Sequence, residues 1–450
     1  MVNRLLDFLN ASPVNFLAVK NICSELDNAG FRRIDARMPL GTVNSGDKFY
    51  VTKNDSSVYA FQIGSKPLAE GGFHMICAHC DSPTFRIKPN AEMTCEGGIV
   101  KLNTEVYGGP IMSTWFDRPL TLAGRVIIRG ESPLEPQTLL IHVKRPLLQI
   151  SNLAIHFNRQ VNDGVKLSKQ KDVLPILGII SDELEKGNLL MNVILEELNK
   201  QHKVSKEDIL DFDLYLADAT PSCTFGVHNE FISSGRLDDL SMCYAGLEAL
   251  LHSGDSAVTK VLAIFDNEET GSQTKQGAGS PFLASILKRI AIAESGSGGQ
   301  QTGGSERLQA ENPAGMEAFY QAVERAFMIS ADNAHAWHPN YGEKFDPTNH
   351  PVLGGGPVIK FNAAQKYASD AASAAVFAEI CREAGVPCQR FVNHSDVAGG
   401  STLGNILASS IPLRGVDMGN GILAMHSCRE TGSAADHVYC VKAFTKFYEL

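Results

Sequence analysis

The sequence predicts an α/β protein: a central, mostly parallel sheet flanked by helices, interrupted by an inserted, mainly β domain. Three observations carry this. Short, continuous apolar runs at Phe73–Ala78 (FHMICA), Val261–Phe265 (VLAIF) and Phe327–Ala331 (FMISA) each lead into polar, ionisable residues. Runs of this kind suit strands covered on both faces, as in parallel sheets. The chain before the first run has helical periodicity, and the chain between the first and second runs turns to strand-like stretches broken by Gly and Pro.

The helical start rests on Leu5, Phe8 and Leu9 sharing one face. Ser12 and Pro13 then give a new start signal, and Val19, Ile22, Cys23 and Leu26 keep the period until Gly30. The first apolar run delivers His79 and Asp81, the second delivers Asp266, Asn267, Glu268 and Glu269, and the third delivers Asp332. In open parallel sheets ligands bind beyond the carboxyl ends of the strands, so these three loops are predicted to meet at one site. The inserted texture includes Gly97–Leu102, Gly124–Ile128 and Leu139–Val143 as strands, a helix over Leu189–Leu198 and a strand over Phe212–Ala217. The predicted division is one discontinuous domain, 1–86 and 230–450, with 87–229 inserted. That agrees with the two or three domains that 450 residues suggest at ~100–200 residues each. Ser295–Ser305 (SGSGGQQTGGS) reads as a mobile loop, too rich in Gly, Ser and Gln to repay ordering.

Composition excludes several classes. No stretch approaches the ~20 apolar residues of a membrane span, and the N-terminus lacks a basic run followed by an apolar segment and small-residue cleavage site. Ten scattered cysteines read as reduced thiols of a cytoplasmic protein. The net charge of −10 argues against nucleic acid, and an acidic substrate would need a local cluster of cations to overcome it. Cys77 and Cys80 form one CxxC without a second pair, and Gly354–Gly356 precede an apparent strand where a phosphate loop would open a helix. Neither a redox motif nor a nucleotide site is implied.

What remains is metal chemistry. A pair of divalent zinc ions needs neutral imidazoles, ionised carboxylates that include a bridge, and a position left for water. Candidates are His79 with Asp81, Asp238 in GRLDDL, Glu268 with Glu269, Asp332 in SADNAHAWHP and His426 in AMHSCRE. Two histidines and three acids would ligate, leaving Asp81 to hold the His79 neighbourhood and Glu268 as general base. Each residue alone is weak evidence, and Asp238 has a competing reading as cap of the helix marked by Leu240, Cys243, Tyr244 and Leu247. His335, His338 and His350 are left out of the ligand set.

In order along nearly the whole chain, AHCDSP, GRLDDL, FDNEETGS, SADNAHAWHPNY, GPVIKFNAAQKYASD, SDVAGGSTLGNI and AMHSCRE resemble the M18 family of aspartyl aminopeptidases. The resemblance implies a zinc-peptidase fold whose inserted domain makes dimer contacts, within a tetrahedral shell of twelve subunits. It makes Asp238 the bridging ligand, with His79 and Asp332 on one zinc, Glu269 and His426 on the other, and Glu268 as the base; Mn²⁺ or Co²⁺ are alternative ions. It implies removal of N-terminal Asp or Glu from peptides. Lys360 would pair with the acidic side chain, Tyr367 would orient it, and His156 would be lent to a neighbouring subunit's site. The sequence departs from the family pattern at Asp239, where Asn is usual, at Asn267, and at Gly399, often Cys. Two further readings stay open: a related two-zinc peptidase or deacylase preferring neutral residues, and a shell-forming protein with a vestigial site.

Overall fold

In the computed structural model, which describes residues 1–182, 185–296 and 313–450, the three apolar runs lie side by side as parallel strands. Phe73–His79 is flanked by Thr259–Phe265 on one side and Phe327–Ala331 on the other, with Arg414–Gly419 parallel beyond the last. Five further strands complete a nine-stranded mixed sheet. Most of the Ser295–Ser305 segment lies outside the described residues.

Alternation along the Phe73–His79 strand shows why it is apolar throughout. Met75 and Cys77 join the core built with the helices Phe282–Gly296 and Pro313–Arg325, whereas Ile76 and Ala78 join the core on the opposite face. That opposite core is closed by helices Val2–Ala11, Asn15–Asn28, Leu237–His252, Ala371–Glu383 and Ala434–Glu449. Each large apolar side chain buried in this way contributes roughly 1.5–3 kcal/mol. The N-terminal helices follow the predicted period: Leu5, Phe8 and Leu9 are buried, the chain breaks at Ser12 and Pro13, and Gly30 takes φ 81 just past the second helix.

The second sheet is six-stranded and antiparallel, spanning Thr84 to Asp218. Its order is Glu135–His142, Leu120–Ser132, Ile209–Asp218, Thr84–Thr94, Ile99–Tyr107, Ile176–Ile179. The helix Leu189–Leu198 buries Leu190, Ile194 and Leu198 in a core with Phe85, Leu102, Trp115 and Leu122. Gly97 and Gly98, expected to begin a strand, form a turn at φ 71 and 72; the strand starts at Ile99. Their lack of a Cβ suits that left-handed turn. The Thr84–Thr94 strand leaves the first sheet only a few residues after His79, and its register sets Thr84 opposite Tyr107. Strand ends of both sheets thus come together. Among the described residues no helix is long and apolar enough to cross a membrane.

Candidate metal centre

His79 is the last residue of its strand and is 1% exposed. Its Nδ1 lies 3.1 Å from the Asp81 carbonyl oxygen and 3.5 Å from Asp81 Oδ1, so Nε2 is the nitrogen that meets the other acids. Nε2 stands 3.7 Å from Asp238 Oδ1 and 3.9 Å from Glu268 Oε2. The other Asp238 oxygen, Oδ2, is 3.3 Å from His426 Nε2, which is 3.4 Å from Glu269 Oε1. One carboxylate therefore faces two imidazoles.

Local backbone explains these directions. Asp238 sits at the start of the Leu237–His252 helix with non-helical φ −81 and ψ 105, and no side chain caps that helix, so its carboxylate is not spent on a cap. The Asp238 N–H donates to Glu430 Oε2 at 3.1 Å, and the His426 N–H donates to Glu430 Oε1 at 2.8 Å, so one buried acid ties both segments. Glu268 and Glu269 lie in a tight turn entered through Asn267 at φ 61. Their backbone N–H groups donate to Asp81 Oδ1 at 3.1 Å and Oδ2 at 3.2 Å, leaving both glutamate side chains free to point inward. Left-handed φ at Arg236, Asn267 and His426 surrounds this one site. Such backbone is uncommon for non-glycine residues and gathers where surrounding structure holds it.

Three overlapping groups each place their candidate ligand atoms within 4.8 Å of one another: His79, Asp238, Asp239, Asp332; His79, Glu268, Glu269; and Asp238, Glu269, His426. Two ligands ~2.0–2.2 Å from a tetrahedral zinc stand roughly 3.3–3.5 Å apart, close to the spacing here. Buried oxygens Asp238 Oδ1, Asp239 Oδ1 and Glu269 Oε1 have no hydrogen-bond partner. Orphaned buried carboxylate oxygens are costly, and a divalent cation would satisfy them. The residues fit zinc.

Electrostatics agree. Burial, with neighbouring acids, pushes Glu268 up to about 8 and Glu430 up to about 8, and raises Glu269, Asp332 and Asp239 above the ordinary carboxylate range. Burial works against charge on His79 and His426, but the surrounding carboxylates outweigh it, raising His79 and bringing His426 to about 9. Asp238 alone among the proposed ligands moves down; burial opposes this, and the two imidazoles prevail. The cluster carries more negative charge than it can hold unneutralised.

Other expected residues fall into place unevenly. Lys360 is 2% exposed, with its ammonium donating to the Asp332 carbonyl at 2.7 Å and the Asn333 carbonyl at 3.2 Å. It lies 3.5 Å from Asp332 Oδ1 and 5.4 Å from the centre of the Tyr367 ring. His156 lies on an exposed turn of the 151–172 segment, apart from the three groups. Among the described residues His335, His338 and His350 join none of those groups. Asp239 is fully buried and accepts the His79 N–H at 3.2 Å; a Cβ at Gly399 would come within 2.5 Å of Asn393 Oδ1. Sequence reasoning missed Glu430, four residues after His426, and Tyr107. The first was visible only as part of AMHSCRE, the second not at all.

Comparisons with known proteins now bear on identity. Residues 8–448 match the family described as Aminopeptidase I zinc metalloprotease (M18). The chain is 51% identical over 447 residues to the probable M18 family aminopeptidase 2 of Clostridium acetobutylicum, covering 99% of this chain and 98% of that one. It is 34% identical to a chain in the cryo-EM structure of the Ape4 and Nbr1 complex, with a TM-score of 0.91 over 99% of this chain and 85% of that chain. The S. cerevisiae mApe1 dodecamer structure, at 24% identity and a TM-score of 0.81 over 99% of this chain and 96% of that chain, shares the fold. With a metal-ready cluster at the strand ends and a match along nearly its whole length, the chain belongs to the M18 family of zinc aminopeptidases.

Proposed function

We propose that this aminopeptidase removes an N-terminal residue, preferentially Asp or Glu, from peptides, using two zinc ions and Glu268 as general base. The observation that supports it most is Asp238, whose two oxygens face two different imidazoles, as a bridging ligand must. His79 and Asp332 would hold one ion with Asp238, and Glu269 and His426 the other. Bound zinc supplies Lewis acidity toward the scissile carbonyl and makes water easier to deprotonate. Glu268 Oε2, 3.9 Å from His79 Nε2, takes the water proton and passes it to the leaving amine. Asp81 positions the base by accepting the Glu268 N–H.

The acidic preference rests on Lys360, a buried cation beside Asp332 in a chain of net charge −10. Tyr367 would orient the substrate side chain next to it. A second reading is favoured by a specific contact: Lys360 already donates to two backbone carbonyls, which suits a structural ammonium and a peptidase or deacylase with neutral preference. Aspartyl and leucyl p-nitroanilides decide between them; faster leucyl cleavage would reject the acidic preference. His156 would serve a neighbouring subunit, in line with the exposed Leu153, Ile155 and Phe157 around it. Dimers through the second sheet, building a dodecamer as in the S. cerevisiae protein, complete this reading, with the cytoplasm as its location.

The deciding experiment is Glu268→Gln. Zinc content should be kept while kcat falls by about 10²–10⁴-fold, the usual share of a general base; near-parent turnover would reject the assignment.

A further inference from the structure

The second sheet reaches the metal centre through the end of the Ile99–Tyr107 strand and the turn that follows. Tyr107 donates its hydroxyl proton to Asp81 Oδ2 at 2.7 Å. The same Asp81 carboxylate accepts the N–H groups of Glu268 and Glu269, so all its named partners are donors. The Tyr107 oxygen in turn accepts from Asn267 Nδ2 at 2.8 Å, and Asn267 Oδ1 accepts from Thr274 Oγ1 at 2.9 Å and Gln276 Nε2 at 2.7 Å. Every donor and acceptor in this network has one consistent direction, because Asp81 receives three donors and the hydroxyl has a single proton to give. Asn267 immediately precedes Glu268, so the network closes into a ring around the turn that carries both glutamates.

The next two residues continue the contact. A Cβ on Gly108, at φ 67, would stand 3.1 Å from Glu269 Cβ, so only a bare backbone lets the segment lie against that ligand. The Gly109 carbonyl lies 3.1 Å from His426 Nδ1 and accepts its proton, which holds the ring with Nε2 turned toward Asp238 and Glu269. The Ile111 N–H donates to the His426 carbonyl at 2.9 Å, fixing the His426 backbone from the same strand end. Register explains the arrangement, since Thr84 opposite Tyr107 brings this strand end back beside the segment that has just left His79 and Asp81.

We propose that Tyr107–Gly109 is a positioning clamp: Tyr107 fixes the Glu268–Glu269 turn through Asp81, and the Gly109 carbonyl fixes the ring of His426. Tyr107 is the positioning residue, touching no reacting atom. The clamp makes the metal centre depend on the second sheet as well as on the first. It rests on the reading of Asp238, Glu269 and His426 as zinc ligands.

Tyr107→Phe keeps the ring, its edge contact with Tyr215 (centroids 5.8 Å apart) and the strand, and removes only the hydroxyl. Losing a partner that orients ligands typically costs about 10–100-fold in metal affinity or activity. The prediction is zinc affinity lower by roughly that factor in competition with a chromophoric chelator, with kcat reduced and KM within about twofold of the parent. Tyr215→Phe, whose hydroxyl lies outside the ring of hydrogen bonds, is the control for general loosening and should match the parent. Gly108→Ala should weaken zinc in the same direction through Glu269. Parent zinc affinity and kcat in Tyr107→Phe, or equal losses in Tyr215→Phe, would overturn the clamp. A parent protein that binds no zinc would overturn the metal reading along with it.

Discussion

The two imidazoles of the metal centre stand in unlike surroundings. His79 ends a central strand, is 1% exposed, and has its backbone N–H held by Asp239 of the Leu237–His252 helix and its ring by the Asp81 carbonyl just after the strand. The His426 side chain is 31% exposed, sits on a turn at φ 69, and has its ring held by a carbonyl of the second sheet. One half of the site is therefore arranged by a packed core, where displacement is resisted on every side. The other half is assembled across two sheets, and a site of that kind opens more readily.

The largest expected effect separates the halves. His79→Ala should abolish zinc binding at both positions, because it leaves Asp238, Asp239 and Asp332 buried together without their cation-bearing partner; His426→Ala should remove one zinc and retain the other. Metal content by mass spectrometry reads this, and equal losses in the two variants would erase the distinction. Chelation of the parent should then show two phases, with the faster one enlarged by Tyr107→Phe.

A smaller effect concerns pH. Glu268 near 8 and His426 near 9 lie above unfolded values of roughly 4.3 and 6.5. The folded, metal-free protein thus holds extra protons, and the stability they contribute is present at low pH and lost as pH rises through the folded values. Thermal unfolding of the metal-free protein should fall between about pH 5 and pH 9. Zinc, which replaces those protons, should flatten the decline; a metal-free protein more stable at pH 9 than at pH 6 would contradict it. The smallest effect is Asp239→Asn, which keeps an oxygen for the His79 N–H and removes one buried charge. It should stabilise the metal-free form and weaken zinc only a few-fold.

The contrast between the halves also separates what the sequence reveals from what it hides. Strand ends advertise themselves, since a continuous apolar run that stops at His79, Glu268 or Asp332 states both its burial and where its loop emerges. Three central strands of the nine-stranded sheet, and the loops that follow them, were legible for that reason. Asp238 was ambiguous because an acid at a helix start is ordinarily a cap, and only its non-helical backbone frees it. Tyr107 and Gly109 were illegible because their contacts depend on the register of the hairpin joining Thr84–Thr94 to Ile99–Tyr107, which includes a shift between Ile87 and Glu92. No local pattern encodes such a shift. Lys360 was legible as a cation, whereas its engagement by the Asp332 and Asn333 carbonyls follows from packing.

The order of the proposed ligands along the chain has a consequence for synthesis. His79, Asp238, Glu269 and Asp332 emerge from the ribosome well before His426, which lies just ahead of the Ala434–Glu449 helix. Domains fold as units, and the core behind the His79 strand is closed by the Ala434–Glu449 helix, so neither half of the site is packed before that helix has been made. A chain arrested before His426 would carry a partial metal cluster and no competent centre. On the proposed ligand set, the hydrolytic centre is thus completed only when almost all of the polypeptide has been made.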